Sequence, residues 1–192
     1  LEFRRVLFRS RRQVRARLVI PDEVLYHVPA THLSPSLLVW AVVVGPLLGF
    51  AGVGFVKLTN RLQATAPKGW HLLVVLPVVF AMVGLIAVPF PDILGNGRAL
   101  GLVAMNATTS APDFAGVGPI VFLLLLAVLR TITTSATIGA GAVGGTLTPS
   151  IAIGSAVGAA LGGAWVLLWP ADGSTLVSFA FVGAAAFLAT TM

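Results

Sequence analysis

The chain has 192 residues, 57% of them apolar and 9% charged, with 21 glycines, no cysteine and a mean hydropathy of +1.00. Apolar runs this long and frequent cannot be folded into one water-surrounded core. The composition therefore excludes soluble enzymes and disulfide scaffolds and points to an all-α, polytopic membrane protein, a class whose helices tolerate Gly and Pro. The formal net charge of +6 does not indicate nucleic acid: seven Arg and Glu2 within residues 1–17 account for all of it, and residues 18–192 carry five basic and five acidic side chains.

In chain order, Leu1–Ser10 (LEFRRVLFRS) match the translated end of a common sequencing adapter and are set apart from the fold. Residues 11–35 form a basic segment and loop, and residues 36–192 a membrane domain. No apolar stretch follows the arginines closely enough to make a signal peptide.

The first expected span is Ser36–Val56, interrupted at Gly45-Pro46; its 21 residues suffice for a hydrocarbon core of ~30 Å. The second runs from about Trp70 to Pro89 with Pro77 inside it, and the third from Val117 to about Thr134 with Arg130 near its end. A fourth follows Pro149 to Trp169, and a last begins near Leu176. Between the second and third lies a long linker, Phe90–Gly116, within which Ala99–Met105 reads as a short re-entrant or tilted helix. Lys57, Arg61 and Lys68 are read in the loop between the first two spans, which the positive-inside bias puts in the cytoplasm.

Gly95-Asn96-Gly97-Arg98 with Gly101 spaces as GxGxxxG; with no preceding strand it is a turn where backbones pack closely, not a dinucleotide fingerprint. Arg130 is the only charge inside a span after the first. Its long stem allows it to snorkel to the interface or to cap the carbonyls of a broken helix, and a direct role in an ion pathway is the less favoured alternative. The hydroxyls of Thr131, Thr133, Thr134, Ser135 and Thr137 are expected to bond carbonyls one turn back or neighbouring helices. His27, His32 and His71 flank the spans without clustering, so no metal and no cofactor is expected, and no nucleophile elbow or HExxH marks an enzyme.

The most informative stretch is Gly139–Gly158, GAGAVGGTLTPSIAIGSAVG. A glycine run separates two apolar segments, and Thr146-Leu147-Thr148-Pro149 starts a new helix with Pro149 in its first turn. A helix that starts within a bilayer leaves its first N–H groups unpaired and its positive dipole end exposed, which is a site for an anion. Gly154, Gly158 and Gly162 make a small-xxx-small ridge, the mark of close helix packing rather than of a ligand.

These residues closely resemble the CLC family of chloride channels and proton-coupled chloride exchangers. The family's GxFxP element corresponds to Gly145-Thr146-Leu147-Thr148-Pro149, preceded by Arg130–Thr134 and Gly139–Gly144. PDILGNGRALG resembles the opening of the family's second half, Val28–Phe55 the loop and helix just before it, and Phe179–Ala186 the helix after the filter helix. The likeness extends over roughly Ala16–Met192. It implies a bundle of broken and tilted helices and chloride or a similar anion held by backbone amides over Gly145, Thr146, Leu147, Thr148 and Pro149, with Thr146 and Leu147 supplying the N–H groups. It further implies multi-pass residence in the plasma or inner membrane and a homodimer in the lipid bilayer. Leu147 stands where the family has Phe, which removes an aromatic edge and keeps the amide. The family's GSGIP-like and G[KR]EGP-like elements, the latter with the gating Glu, do not occur in the chain, nor does its late Tyr. The chain thus reads as an interior, truncated piece, mostly of the second half and inactive alone. A carboxylate carrier with broken helices and a non-transporting scaffold are the competing readings.

Overall fold

The computed structural model describes residues 34–105, 118–169 and 175–192; the adapter-like end, the basic segment, His27, His32 and the later part of the long linker lie outside the described residues. Among the described residues six α-helices follow in order: α1 Pro35–Ala64, α2 Leu72–Ala87, α3 Arg98–Met105, α4 Pro119–Gly139, α5 Leu147–Leu168 and α6 Leu176–Ala189. Short 3-10 turns, Gly69–His71 and Pro91–Ile93, precede α2 and α3, and no strand occurs among the described residues. Each of the five expected spans is a helix, and the expected short helix in the linker is α3.

Three of them, α1, α4 and α5, are long and apolar enough to cross a membrane. By contrast α2 and α6, with 16 and 14 residues, reach only about 24 and 21 Å along their axes, short of a ~30 Å core. Such part-span helices belong to a bundle of broken elements.

Gly45-Pro46 does not interrupt α1: the helix runs through Pro46 for 30 residues. The expected break is absent because one missing N–H leaves a single carbonyl without its partner, a loss that helices in membrane bundles absorb. At its start, the Ser34 hydroxyl accepts from the Leu37 N–H at 3.0 Å. The longer helix also moves the basic residues, since Lys57 and Arg61 ride on the last turns of α1 and only Lys68 lies in the connection to α2.

Small residues centre the bundle on α5. Ala152, Ile153, Ala156, Ala159 and Ala160 are buried along it. A Cβ added to Gly158 would lie 2.6 Å from the Phe179 carbonyl oxygen and 2.8 Å from the Gly183 Cα, and one on Gly162 would lie 2.3 Å from the Phe179 Cβ. The glycine ridge is therefore the seat of α6, as its spacing predicts, and it brings the two backbones into contact. α1 crosses the same pair: Trp40 packs edge-on against Phe179 with ring centroids 4.9 Å apart, and the Trp165 indole N–H donates to the Ser36 hydroxyl at 2.9 Å. The outer faces of α1 and α2, including Leu38, Val42, Phe50, Leu73 and Leu85, are apolar and exposed, the pattern of lipid- or protein-facing helix surface rather than of a water-facing one.

Candidate functional site

The break between α4 and α5 has a specific local cause. Gly141 takes φ +92°, and its N–H donates to the Ile138 carbonyl while the Ala142 N–H donates to that of Thr137. This pair of bonds is a Schellman stop, which needs a left-handed residue and hence favours glycine. The chain then runs through Ala142–Gly145 and begins α5 at Leu147, with Thr146 as N-cap. The Thr146 carbonyl accepts from the Ser150 N–H at 2.9 Å and from the Ser150 hydroxyl at 2.7 Å. Pro149 has no N–H to leave unpaired. Among the described residues nothing accepts from the N–H groups of Thr146, Leu147 or Thr148, so the positive end of a 22-residue helix is left without an acceptor.

This helix start borders a cavity of about 560 Å³. Gly145, Leu147, Thr148 and Pro149 line it; Thr146, the fifth predicted residue, is the helix cap and is not part of the lining. Facing them are Ile93, Gly95 and Asn96 of the turn before α3, Thr133, Thr134 and Thr137 of α4, and Phe80 of α2. Among the described residues Arg130 is the one charged residue in this lining, and no carboxylate borders it. The wall thus offers amides, hydroxyls and a guanidinium to whatever enters.

Arg130 turns inward, into the bundle. Because α4 continues to Gly139, Arg130 is a mid-helix residue, buried to 6% exposure. Its Nη1 donates to the Ile93 carbonyl, and its Nη2 donates to the Gly95 carbonyl at 2.7 Å. Snorkelling is thereby replaced by the other expectation, the capping of carbonyls where a helix breaks. The hydroxyls behave as expected at Thr131, Thr133 and Thr137, which donate to the carbonyls of Ala127 (2.8 Å), Arg130 (3.2 Å) and Thr133 (2.6 Å), but not at Ser135, whose buried hydroxyl has no partner among the described residues. Thr133 and Thr137 nevertheless also line the cavity, a placement their local bonding does not reveal.

The turn Gly95–Arg98 is the close backbone approach that its sequence suggests. A Cβ on Gly97, at φ +94°, would lie 2.9 Å from the Ala152 Cβ and 3.4 Å from the Thr148 carbonyl oxygen. The turn therefore sits directly on the first turns of α5. Its contribution to the cavity, through Ile93, Leu94, Gly95 and Asn96, is the part of the site the sequence reading missed. The spacing between Arg130 and the two carbonyls it holds is 35 to 37 residues, too remote to be read as a local pattern.

Apolar helices, several too short to span, assembled around a cavity at a helix break, place the molecule among membrane channels and carriers. The sequence model of the family described as voltage gated chloride channel matches residues 13–192, and the chain belongs to that family. No curated protein matches the chain. The family comprises chloride channels and chloride/proton exchangers, membrane transport proteins rather than enzymes.

Proposed function

We propose that the chain supplies one chloride-binding wall of a CLC-type channel or chloride/proton exchanger, with the ion held over Gly145–Pro149. The observation that carries this reading is the set of N–H groups at Thr146, Leu147 and Thr148, which have no partner among the described residues, at the edge of a cavity that no described carboxylate lines. A desolvated anion loses its water hydrogen bonds, and amides fixed by a helix start return part of that energy without reorganising. Because the amides carry only partial charge, the ion is held strongly enough to enter and weakly enough to leave. Leu147 lines the cavity and is 47% exposed.

The working protein is a multi-pass homodimer in the plasma or inner membrane, oriented with the basic end of α1 and Lys68 on the cytoplasmic side. The dimer is carried by membership of the family alone.

The test removes one donor and leaves the side chain. In the full-length protein, Leu147 is replaced by its α-hydroxy acid analogue, which exchanges the amide N–H for an ester oxygen. A hydrogen bond to a charged group contributes about 1.5–3 kcal/mol, so chloride affinity measured calorimetrically should fall by roughly ten- to a hundredfold. Unchanged affinity would remove the amides from the binding site. Flux into liposomes with chloride or a small carboxylate as the only permeant anion separates this reading from a carboxylate carrier.

A further inference from the structure

Arg130 is held in an unusual way for a buried cation. Among the described residues it makes no ion pair; its two Nη groups are taken by the carbonyls of Ile93 and Gly95, and its Nε, also buried, has no partner. Both carbonyls belong to the turn that walls the cavity opposite α5, and that turn is seated on α5 through Gly97, which admits no side chain there. A Cβ on Gly97 would also stand 3.6 Å from the Arg130 Nη2, so guanidinium, turn and first turns of α5 meet within one contact distance. An unpaired buried charge is costly, and one kept in a span without a counter-ion is accounted for by what it holds.

We infer that Arg130 is a positioning residue for the anion cavity: its guanidinium fork ties the turn Ile93–Gly97 to α4 while Gly97 seats that turn on the start of α5, and together they fix the distance between the two walls that an ion must touch. A planar guanidinium reaches two carbonyls at a fixed angle, whereas an ammonium on a flexible stem does not. With the clamp in place, the cavity keeps one width and discriminates ions by size. Without it the turn relaxes away from α5, and the donors on the two walls no longer converge. The inference rests on the proposal that the anion binds in this cavity.

Two substitutions in the full-length protein test it from opposite sides. Arg130→Lys keeps the charge and loses the fork; Gly97→Ala keeps Arg130 and unseats the turn. Titration calorimetry with fluoride, chloride, bromide and iodide reads both affinity and the number of ions bound per protein. Each variant should weaken chloride binding on the order of tenfold, the scale on which supporting residues act on a bound ion, and flatten the preference along the halide series at unchanged stoichiometry. Wild-type affinity in either variant overturns the inference. So does a fall in stoichiometry with affinity and halide ranking intact, because that is loss of folded protein alone. The Leu147 amide-to-ester replacement keeps the two proposals apart. If it has no effect while Arg130→Lys and Gly97→Ala weaken binding, the amides fail and the clamp stands; the reverse result removes the clamp and leaves the amides.

Discussion

The two flanks of α5 use the same small residues for opposite ends. Along its middle, Gly154, Gly158 and Gly162 remove side chains so that α6 can lie against the backbone, with Gly183 answering from the other helix. Before its start, Gly144 and Gly145 also lack side chains, yet a Cβ there would meet nothing within 4 Å. One set of glycines closes space and the other leaves it open beside unpaired amides. The difference is set by what lies opposite. A glycine-bearing helix can fill the first groove by van der Waals contact, while the second flank ends at a Schellman stop and a helix start, whose polar groups no apolar helix can satisfy. Packing density and chemical availability are thus separated along one 22-residue helix.

The sharpest way to break this comparison is to place side chains on both flanks. Gly158→Leu would drive a branched side chain into the backbone of α6, since even the Cβ would lie 2.6 Å from the Phe179 carbonyl oxygen. Neither neighbour is the end of a flexible side chain, so relaxation requires separating the helices. The expected loss is at least about 3 kcal/mol, the upper range for overpacked cores, seen as a lower midpoint in thermal unfolding of the detergent-solubilised protein. A midpoint equal to that of the wild type would mean that α5 and α6 are not in backbone contact.

Gly141→Ala tests what makes the open flank open. The residue sits at φ +92°, where an added Cβ costs about 1–2 kcal/mol. It would also come within 2.6 Å of the Leu72 Cδ1, the far end of a side chain that can move. The expected destabilisation is therefore the backbone cost alone, smaller than at Gly158. The same thermal midpoint reads it, and a loss as large as that of Gly158→Leu would contradict the assignment of the strain to φ.

How much of this was legible in the chain follows the range of the interactions. Helix positions came from apolar runs, and the filter-like start of α5 from Gly-rich sequence followed by Thr-Leu-Thr-Pro, because both are local signals. The ridge of Gly154, Gly158 and Gly162 announced its role through spacing alone. Helix ends were less legible. α4 reads as stopping near Thr134, because threonines lower mean hydropathy; in the structure it continues to Gly139, as hydroxyls satisfied by carbonyls one turn back can stay within an apolar bundle. That extra turn and more turns Arg130 from a residue near a helix end into a buried one bonded to the carbonyls of Ile93 and Gly95. That the turn around Gly95 and Gly97 packs closely was legible in its glycines; that it packs on α5 and walls the cavity was not, since that contact depends on two backbones meeting across the bundle.

The smallest expected effect tests the open flank most directly. At Gly145 the backbone φ lies outside the left-handed region and a Cβ would meet nothing within 4 Å. Gly145→Ala should therefore change stability by no more than about 0.5 kcal/mol, as at ordinary surface positions, and a modest gain is allowed because alanine restricts the unfolded chain. The same methyl would be added at a residue that lines the cavity. Measuring the unfolding midpoint and the chloride affinity on one preparation separates the two quantities. An unchanged midpoint with altered affinity is the result expected of a glycine whose neighbour is an ion rather than a helix. A large loss of stability would show that this flank, too, is packed against protein, and the division of α5 into a closed and an open flank would fall.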